Sequence, residues 1–501
     1  MNITTTLATL ALKHPQRLAI IDKNGETTYD QLNQQVINVA QHLLNSGITK
    51  GDVVLLYVNI SRELYGLLLG LNRIGAVVLF IDPTYGPKEL KHCITLTKPK
   101  AMIVDDKLQF LARLLAPLFG IKKVIALSNF ENAYSSENNT SIAEVDASHP
   151  ALITFTSGSS GLPKGIVRSH GFLERQCQIL SDELDIGQSL SEITTLPIFV
   201  LANLACGVTS ILPVKANIKL VAQQVLQYLP ERILAAPAFL LQLATYLKSE
   251  NIKCHFVRQV LTGGGPVFPQ LLILLRQVFP EAKLVTVYGS TEAEPIAHLD
   301  VSSSNAEIMS KIAAGAGLPQ GKVSPHVDLA ILPGDLSGLY TEAQFDLLRA
   351  EAHVIGEIVV AGEHVVNGYI SAIGDNENKI KVGSRIFHRT GDAGYIDNEG
   401  NLFLVGRAAM KVDLPGSALY PLAVEASVMA TGLVESCAFL EVNKKRILVA
   451  KLSAAAEDNS AAKLHDLLQF ASIDQIVIRS SLPMDKRHNS KILYKKLKKS
   501  L

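Results

Sequence analysis

Between residues 52 and 104, short apolar runs alternate with longer stretches of helical spacing, and this alternation limits the fold more than any other feature. Asp52–Val58 reads as a strand and Arg62–Ile74 as a helix. Ala76–Ile81 is a second strand, closed by Asp82-Pro83; Lys88–Thr97 is helical again, and Ala101–Val104 is a third strand. Strand–helix–strand order sets parallel strands side by side and covers the sheet with helices. Such sheets bind ligands in the crevice at the carboxyl ends of their strands.

The pattern continues through about 150–330 with Gly-rich turns after strands, then changes. Glu357–Ala361, Gly394–Asp397 and Asn401–Val405 are short strands, and Asn398-Glu399-Gly400 is a hairpin turn signal. Past Arg407 strand-like Ser436–Val442 and Ile447–Leu452 sit beside helix-like Leu422–Met429 and Ala461–Phe470. The expected class is therefore α/β. A large N-terminal domain of mostly parallel sheets covered by helices spans 1–406, with a small β-rich subdomain at about 330–406. A hinge at 407–411 and a small mobile α+β C-terminal domain at 412–501 follow.

Composition removes several alternatives. With 501 residues there is room for two or three domains, and 48% hydrophobic with 19% charged residues is a globular mix. Lys+Arg is 47 against 46 Asp+Glu, which lacks the electrostatic footprint of a nucleic-acid binder. The basic surplus sits at 482–501, where Lys486, Arg487, Lys491, Lys495, Lys496, Lys498 and Lys499 face one acid, Asp485. That tail reads as a solvated charge run, with weak attraction to an acidic membrane surface left open. Five scattered cysteines without a C-x-x-C pair point to a reducing compartment, and Met1 to Pro15 lacks a basic start followed by an apolar run, so no secretory signal and a cytoplasmic protein are expected. Leu64–Phe80 is broken by Asn72 and Arg73, and Ile198–Val214 carries Asn203; both fall short of the ~20 apolar residues of a spanning helix.

The sharpest local signal begins where the expected strand Ala151–Phe155 runs into Thr156, Ser157, Gly158, Ser159, Ser160, Gly161, Leu162, Pro163, Lys164 and Gly165. Glycines let a phosphate approach the backbone N–H groups, hydroxyls add donors, and Lys164 adds a compact charge. The spacing G-x-x-G-x-x-K-G is not a Walker A loop. A plain Ser/Gly surface loop is the bland alternative.

Ser157–Gly165 resembles the phosphate loop of the adenylate-forming superfamily: acyl-CoA synthetases, luciferases and peptide-synthetase adenylation domains. Further motifs follow in that family's order. Tyr288-Gly289-Ser290-Thr291-Glu292 resembles its Y-G-x-T-E, Thr390-Gly391-Asp392 its T-G-D, and Gly406-Arg407 the start of its hinge motif. Lys491 stands where the family places a catalytic lysine, within Pro483–Ile492. The resemblance implies attack of a carboxylic acid on MgATP to give acyl-adenylate and pyrophosphate.

Each match has its own chemical sense. Glu292, beside the Thr291 hydroxyl, suits Mg²⁺ held against triphosphate oxygens; a helix N-cap with Thr291 is the alternative. Tyr288 offers a flat face for adenine, and Gly263-Gly264-Gly265-Pro266, after the strand Val257–Leu261, lets the base lie against the backbone. Asp392 can accept both ribose hydroxyls and Arg407 can reach the same sugar, unless the two form a salt bridge instead. Lys491 would sit between the attacking carboxylate and the α-phosphate. The acyl pocket is expected at Ile198–Leu204, with Ile198, Phe199 and Leu201, and around Ala236 and Phe239; ordinary core packing is the alternative.

The hinge departs from that of common acyl-CoA synthetases. Gly406-Arg407-Ala408-Ala409-Met410-Lys411 has Ala409 in place of the usual acid, and Ala418 and Ala423 replace the usual Arg and first Glu, although Gly416, Pro421 and Glu425 fit. The departures resemble the olefin-pathway β-lactone synthetases, as do Leu196–Leu201, Ala205–Thr209, Phe387–Asp392 and Asp485-x-Arg487-His488-Asn489-Ser490-Lys491-Ile492. That branch adenylates a 3-hydroxy acid, whose own hydroxyl then closes a four-membered ring. The implied cofactors are ATP and Mg²⁺, with CoA only if the chain is an acyl-CoA synthetase. Acyl transfer to a carrier protein or amine, and a non-catalytic nucleotide binder, stay open. His388 or His488 is a candidate base for the hydroxyl. The oligomeric state is not encoded in any motif.

Overall fold

The computed structural model describes residues 2–130, 140–156, 161–214, 217–302, 306–334, 339–414, 417–454, 456, 460–484 and 492–501. Contacts group the chain into two compact units, Met1–Ala216 with Glu363–Asn376, and Asn217–Gly362 with Glu377–Leu501.

In the first unit, after a helix over Thr4–Lys13, β1 (Leu18–Asp22) and β2 (Gly25–Thr28) form an antiparallel pair. Helix α1 (Tyr29–Asn45) starts from a capping box in which the Thr28 hydroxyl accepts the Gln31 N–H and the Gln31 side chain answers at the Thr28 N–H. The alternation read from the sequence follows as β3 (Val53–Tyr57), α2 (Arg62–Arg73), β4 (Val77–Phe80), α3 (Pro87–Thr97) and β5 (Ala101–Val104). With β6 (Lys123–Ala126), β7 (Pro150–Thr156) and β8 (Lys164–Ser169) these strands form one sheet in the order β6-β5-β3-β4-β7-β8. Every pair is parallel except the β7–β8 hairpin.

Helix α4 (His170–Leu184), β9 (Ser191–Thr194), α5 (Pro197–Cys206) and β10 (Thr209–Ile211) complete the unit, with β10 parallel to both β1 and β9. The apolar stretch at 64–80 is thus a buried helix plus a buried strand. Its polar breaks are partly paired inside the fold: Asn72 donates to the Leu68 carbonyl at 2.8 Å and Arg73 to the Thr140 carbonyl at 2.6 and 2.8 Å, which leaves Asn72 Oδ1 and Arg73 Nη1 buried without a partner among the described residues.

In the second unit β11 (Arg232–Ala235), α6 (Pro237–Ser249), β12 (Gln259–Gly263), α7 (Pro269–Val278) and β13 (Lys283–Ser290) repeat the parallel pattern. From there the sheet turns antiparallel. β14 (Ala293–Asp300), β15 (Leu318–Val323), β16 (Asp328–Leu332), β17 (Gly356–Ala361), β18 (Lys379–Val382), β19 (Arg385–Ile396) and β20 (Asn401–Arg407) extend it in the order β13-β14-β15-β20-β19-β17-β16, and β18 also pairs with β19. The hairpin signal at 398–400 does join β19 to β20.

Beyond Arg407, α8 (Pro421–Ala430) lies beside a three-stranded sheet of β21 (Val434–Val442), β22 (Lys445–Leu452) and β23 (Gln475–Ile478), and α9 (Tyr494–Lys498) ends the chain. This stretch is α+β, with its own core of Val424, Val428, Phe439, Leu448, Ala450 and Leu464. It groups with 217–362 in contact terms, and Ser427 of α8 donates to the Ala313 carbonyl at 2.7 Å.

Candidate active site

In the first unit the β7–β8 hairpin brings the ends of the Ser/Gly loop together. Thr156 and Lys164 are paired across it, so a strand-end hydroxyl and an ammonium share one mouth. Ser157, Gly158, Ser159 and Ser160 lie outside the described residues. Gly161 is exposed, and His92 of α3 sits with Nε2 3.1 Å from the Pro163 carbonyl oxygen. Lys164 lies over the Tyr369 ring with Nζ 5.3 Å from the centroid.

In the second unit three motifs meet through register. Gly263 ends β12 opposite Val287 of β13, so Gly263–Pro266 and Tyr288–Ser290 leave adjacent parallel strands at their carboxyl ends. Gly263 has a packing reason of its own: an added β-carbon would stand 2.3 Å from the Val287 carbonyl oxygen. At Gly264, with φ +77°, no atom lies within 4 Å of an added β-carbon. Gly264 thus has an open backbone edge and Gly263 a packed one.

Tyr288 is 8% exposed, and its hydroxyl donates to Asp392 Oδ2 at 2.9 Å. Burial beside that carboxylate pushes the phenol well above its usual range. Asp392 of β19 is in register with Arg407 of β20, whose Nη1 donates to Asp392 Oδ1 at 2.7 Å. Both matched motifs thus come together, and the salt bridge held open as an alternative is present. A carboxylate oxygen accepts more than one bond, so Asp392 keeps acceptor capacity toward a diol. These donors and acceptors fit a ribose.

The turn that presents Asp392 is tied by its own motif residues and by Glu357, which the sequence did not single out. Glu357 of β17 accepts from Arg389 Nε at 2.8 Å and from the Gly391 N–H at 3.2 Å. Thr390 Oγ1 donates to the Ile358 carbonyl at 2.8 Å and accepts the Asp392 N–H at 3.1 Å. Glu357 stands 32 positions from Arg389, so no local motif flags it.

Thr291 and Glu292 occupy the tip between β13 and β14, where Ser290 pairs with Ala293. The connection is a strand–strand turn, so the helix N-cap reading of Thr291 is corrected: the next element is a strand. Glu292 is half-buried there. Among the described residues no three His, Cys, Asp or Glu side chains gather as a metal cage. One carboxylate without a cage fits Mg²⁺ shared with phosphate oxygens, since Mg²⁺ takes one or two carboxylates plus phosphate.

Phe199 and Leu201 are buried in the first unit, and Leu201 and Ile198 pack with its main core. Ala236 precedes α6 in the second unit and is buried, with Phe239 half-buried on that helix. His388 is buried with Nδ1 3.2 Å from the Asn378 carbonyl oxygen, the setting of a core histidine. Lys491 and His488 lie outside the described residues; the flanking Met484 and Ile492 form an antiparallel bridge.

A family model described as AMP-binding enzyme matches residues 7–370, most of the chain. The chain belongs to the AMP-binding enzyme family.

Within the family, the olefin beta-lactone synthetase of Xanthomonas campestris pv. campestris is 27% identical over 99% of this chain and 96% of its own. The olefin beta-lactone synthetase of Stenotrophomonas maltophilia is likewise 27% identical, covering 99% and 97%. Among solved structures, amide bond synthetase McbA from Marinactinospora thermotolerans superposes with a TM-score of 0.84 at 19% identity, over 99% of both chains. That likeness establishes the α/β fold. The chain is thus an enzyme of the AMP-binding family. Among the described residues no helix is long and apolar enough to cross a membrane.

The hinge departures are placed in the same unit. Ala423 is buried in an apolar cluster with Ala393, Val405 and Tyr420, and Ala408 and Ala418 pack against it; Ala409 is exposed. A charged side chain at Ala423 would have to enter that cluster.

Proposed function

We propose that this enzyme adenylates an apolar 3-hydroxy acid with MgATP and closes the adenylate to a β-lactone, releasing AMP. The observation that carries the reading is the match to two olefin beta-lactone synthetases along 99% of the chain. The apolar Ala418 and Ala423 accord with it, because ring closure needs no thiol acceptor.

The proposed roles divide as follows. Thr156, Ser157, Gly158, Ser159, Ser160, Gly161 and Lys164 take the polyphosphate. Gly263–Pro266 and Tyr288–Ser290 take the base, and Asp392 with Arg407 the ribose. Thr291 and Glu292 attend the triphosphate, where Mg²⁺ held by Glu292 would neutralise phosphate charge. Lys491 stabilises charge as the carboxylate attacks the α-phosphorus and pyrophosphate leaves. The C3 hydroxyl oxygen then attacks the acyl carbon, loses its proton, and displaces AMP. Ile198, Phe199, Leu201, Ala236 and Phe239 support an apolar acid. Residues 407–411 are read as a hinge and 412–501 as a lid carrying Lys491. Five cysteines that form no disulfide support a cytoplasmic setting.

The test is incubation with MgATP and paired 3-hydroxy and plain fatty acids, with and without CoA, following pyrophosphate and acyl product by mass spectrometry. A product one water lighter than the hydroxy acid, formed without CoA, is expected. Acyl-CoA from plain acids would overturn ring closure and leave adenylation standing.

A further inference from the structure

The chain leaves the second unit after Gly362, joins the first unit over Glu363–Asn376, and returns at Glu377. This excursion lies against the β7–β8 hairpin. Glu363 pairs with Arg175 of α4 at 2.6 Å. Val366 and Tyr369 are buried with Ile166, and an added β-carbon at Gly165 would stand 2.8 Å from Ile370 Cδ1. The segment is also tied to itself, since the Tyr369 N–H donates to Asp375 Oδ1 at 2.9 Å. Between those two residues, Ser371 and Ala372 hold φ +56° and +54°. Left-handed backbone at consecutive non-glycine residues is uncommon and persists only where the surroundings over-determine it.

What the strained turn surrounds is Lys164. Its ammonium faces the Tyr369 ring. Gly374, at φ +93°, also lies close to it: an added β-carbon would stand 2.7 Å from Lys164 Cε and 3.2 Å from Nζ. Among the described residues no carboxylate is paired with this ammonium. An aromatic face attracts a cation without neutralising it.

We propose that residues 363–376 are a strap that positions Lys164, with the Tyr369 ring as its seat and Gly374 as its clearance, so that the charge is held ready for the polyphosphate of a nucleotide. Tyr369 and Gly374 are positioning residues acting through Lys164. The inference rests on the reading of Lys164 as a phosphate ligand.

The test measures MgATP affinity of the full chain by titration calorimetry, with melting temperature as the fold control. Tyr369→Leu should weaken MgATP about fivefold, and Tyr369→Phe, which keeps the aromatic face, should restore affinity to within about twofold. In a Lys164→Ala background the Tyr369→Leu penalty should vanish. Gly374→Ala should weaken binding in the same Lys164-dependent way, and serves alone if Tyr369→Leu melts too low to assay. The strap is overturned if these losses are equal with and without Lys164, or absent while Lys164→Ala still weakens MgATP. If Lys164→Ala leaves MgATP binding unchanged, the phosphate role of Lys164 falls, and the strap's purpose with it.

Discussion

Lys164 in the first unit and Asp392 in the second hold charge in opposite ways. Lys164 is held by shape: it lies over a ring and close to a bare glycine backbone, with no carboxylate among the described residues. Asp392 is fixed by chemistry, with one oxygen bonded to Tyr288 and the other to Arg407. The difference follows from what each must meet. An ammonium facing an anion keeps its full attraction only if it has no carboxylate to exchange. A carboxylate meeting neutral hydroxyls keeps spare lone pairs and gains orientation from its existing partners.

The largest effect is expected where the chemical holding is removed. Asp392→Ala takes the carboxylate from both Tyr288 and Arg407 and should lower kcat/KM for ATP about 1,000-fold, the loss of two charge-assisted hydrogen bonds. Steady-state pyrophosphate release measures it; a loss under threefold would break the contrast. Next comes the brace beneath it. Glu357→Gln leaves Arg389 without its carboxylate in a largely buried pair, and should cost about 3 kcal/mol in chemical denaturation. Unchanged stability there would mean that the turn carrying Asp392 holds itself.

A third carboxyl sharpens the contrast by having neither cation nor open face. Glu425 of α8 is 4% exposed and accepts the Phe439 N–H at 2.9 Å and the Tyr494 hydroxyl. Burial pushes its pKa from 4.5 to about 7, against the pull of those two bonds. Between those values the folded chain keeps a proton the unfolded chain has released, so stability falls as pH rises from about 4.5 to 7 and levels off above. Glu425→Gln, whose amide oxygen can still accept, should remove that slope. The gap in melting stability between variant and native chain should then grow toward high pH, by on the order of 1–3 kcal/mol. A gap constant across pH 5–8 would show that Glu425 ionises as it does in the unfolded chain. The smallest effect is expected at Tyr288→Phe, which leaves Asp392 with Arg407 and should raise KM for ATP about fivefold, the worth of one hydrogen bond.

The parts legible in the sequence are those whose cause is local. The apolar runs from Val53 to Val104 became strands because their period matches buried parallel strands. Asp392 and Arg407 could be paired on paper because one hairpin separates them. Glu357 and Tyr369 were not legible as supports, and Glu425 was legible only as a motif match, without its partner. Arg389, Lys164 and Tyr494, which these residues meet, stand 32 or more positions away from them. At Gly263 the structure adds a cause that the sequence did not show: the Val287 carbonyl leaves no room for a β-carbon there. At Thr291 the element after the motif was ambiguous, because a hydroxyl followed by an acid opens helices and tips hairpins alike.

The pairing of Asp392 with Arg407 is a matter of counting. Their meeting depends on the number of residues between Asp397 and Asn401, where the hairpin reverses. Deleting one residue there would slide β20 by one place and turn Arg407 to the opposite face of the sheet. Asn398, Glu399 and Gly400 contribute no group to the pair, yet they act as its ruler, and the spacing they keep decides whether a sugar would find one charge or two.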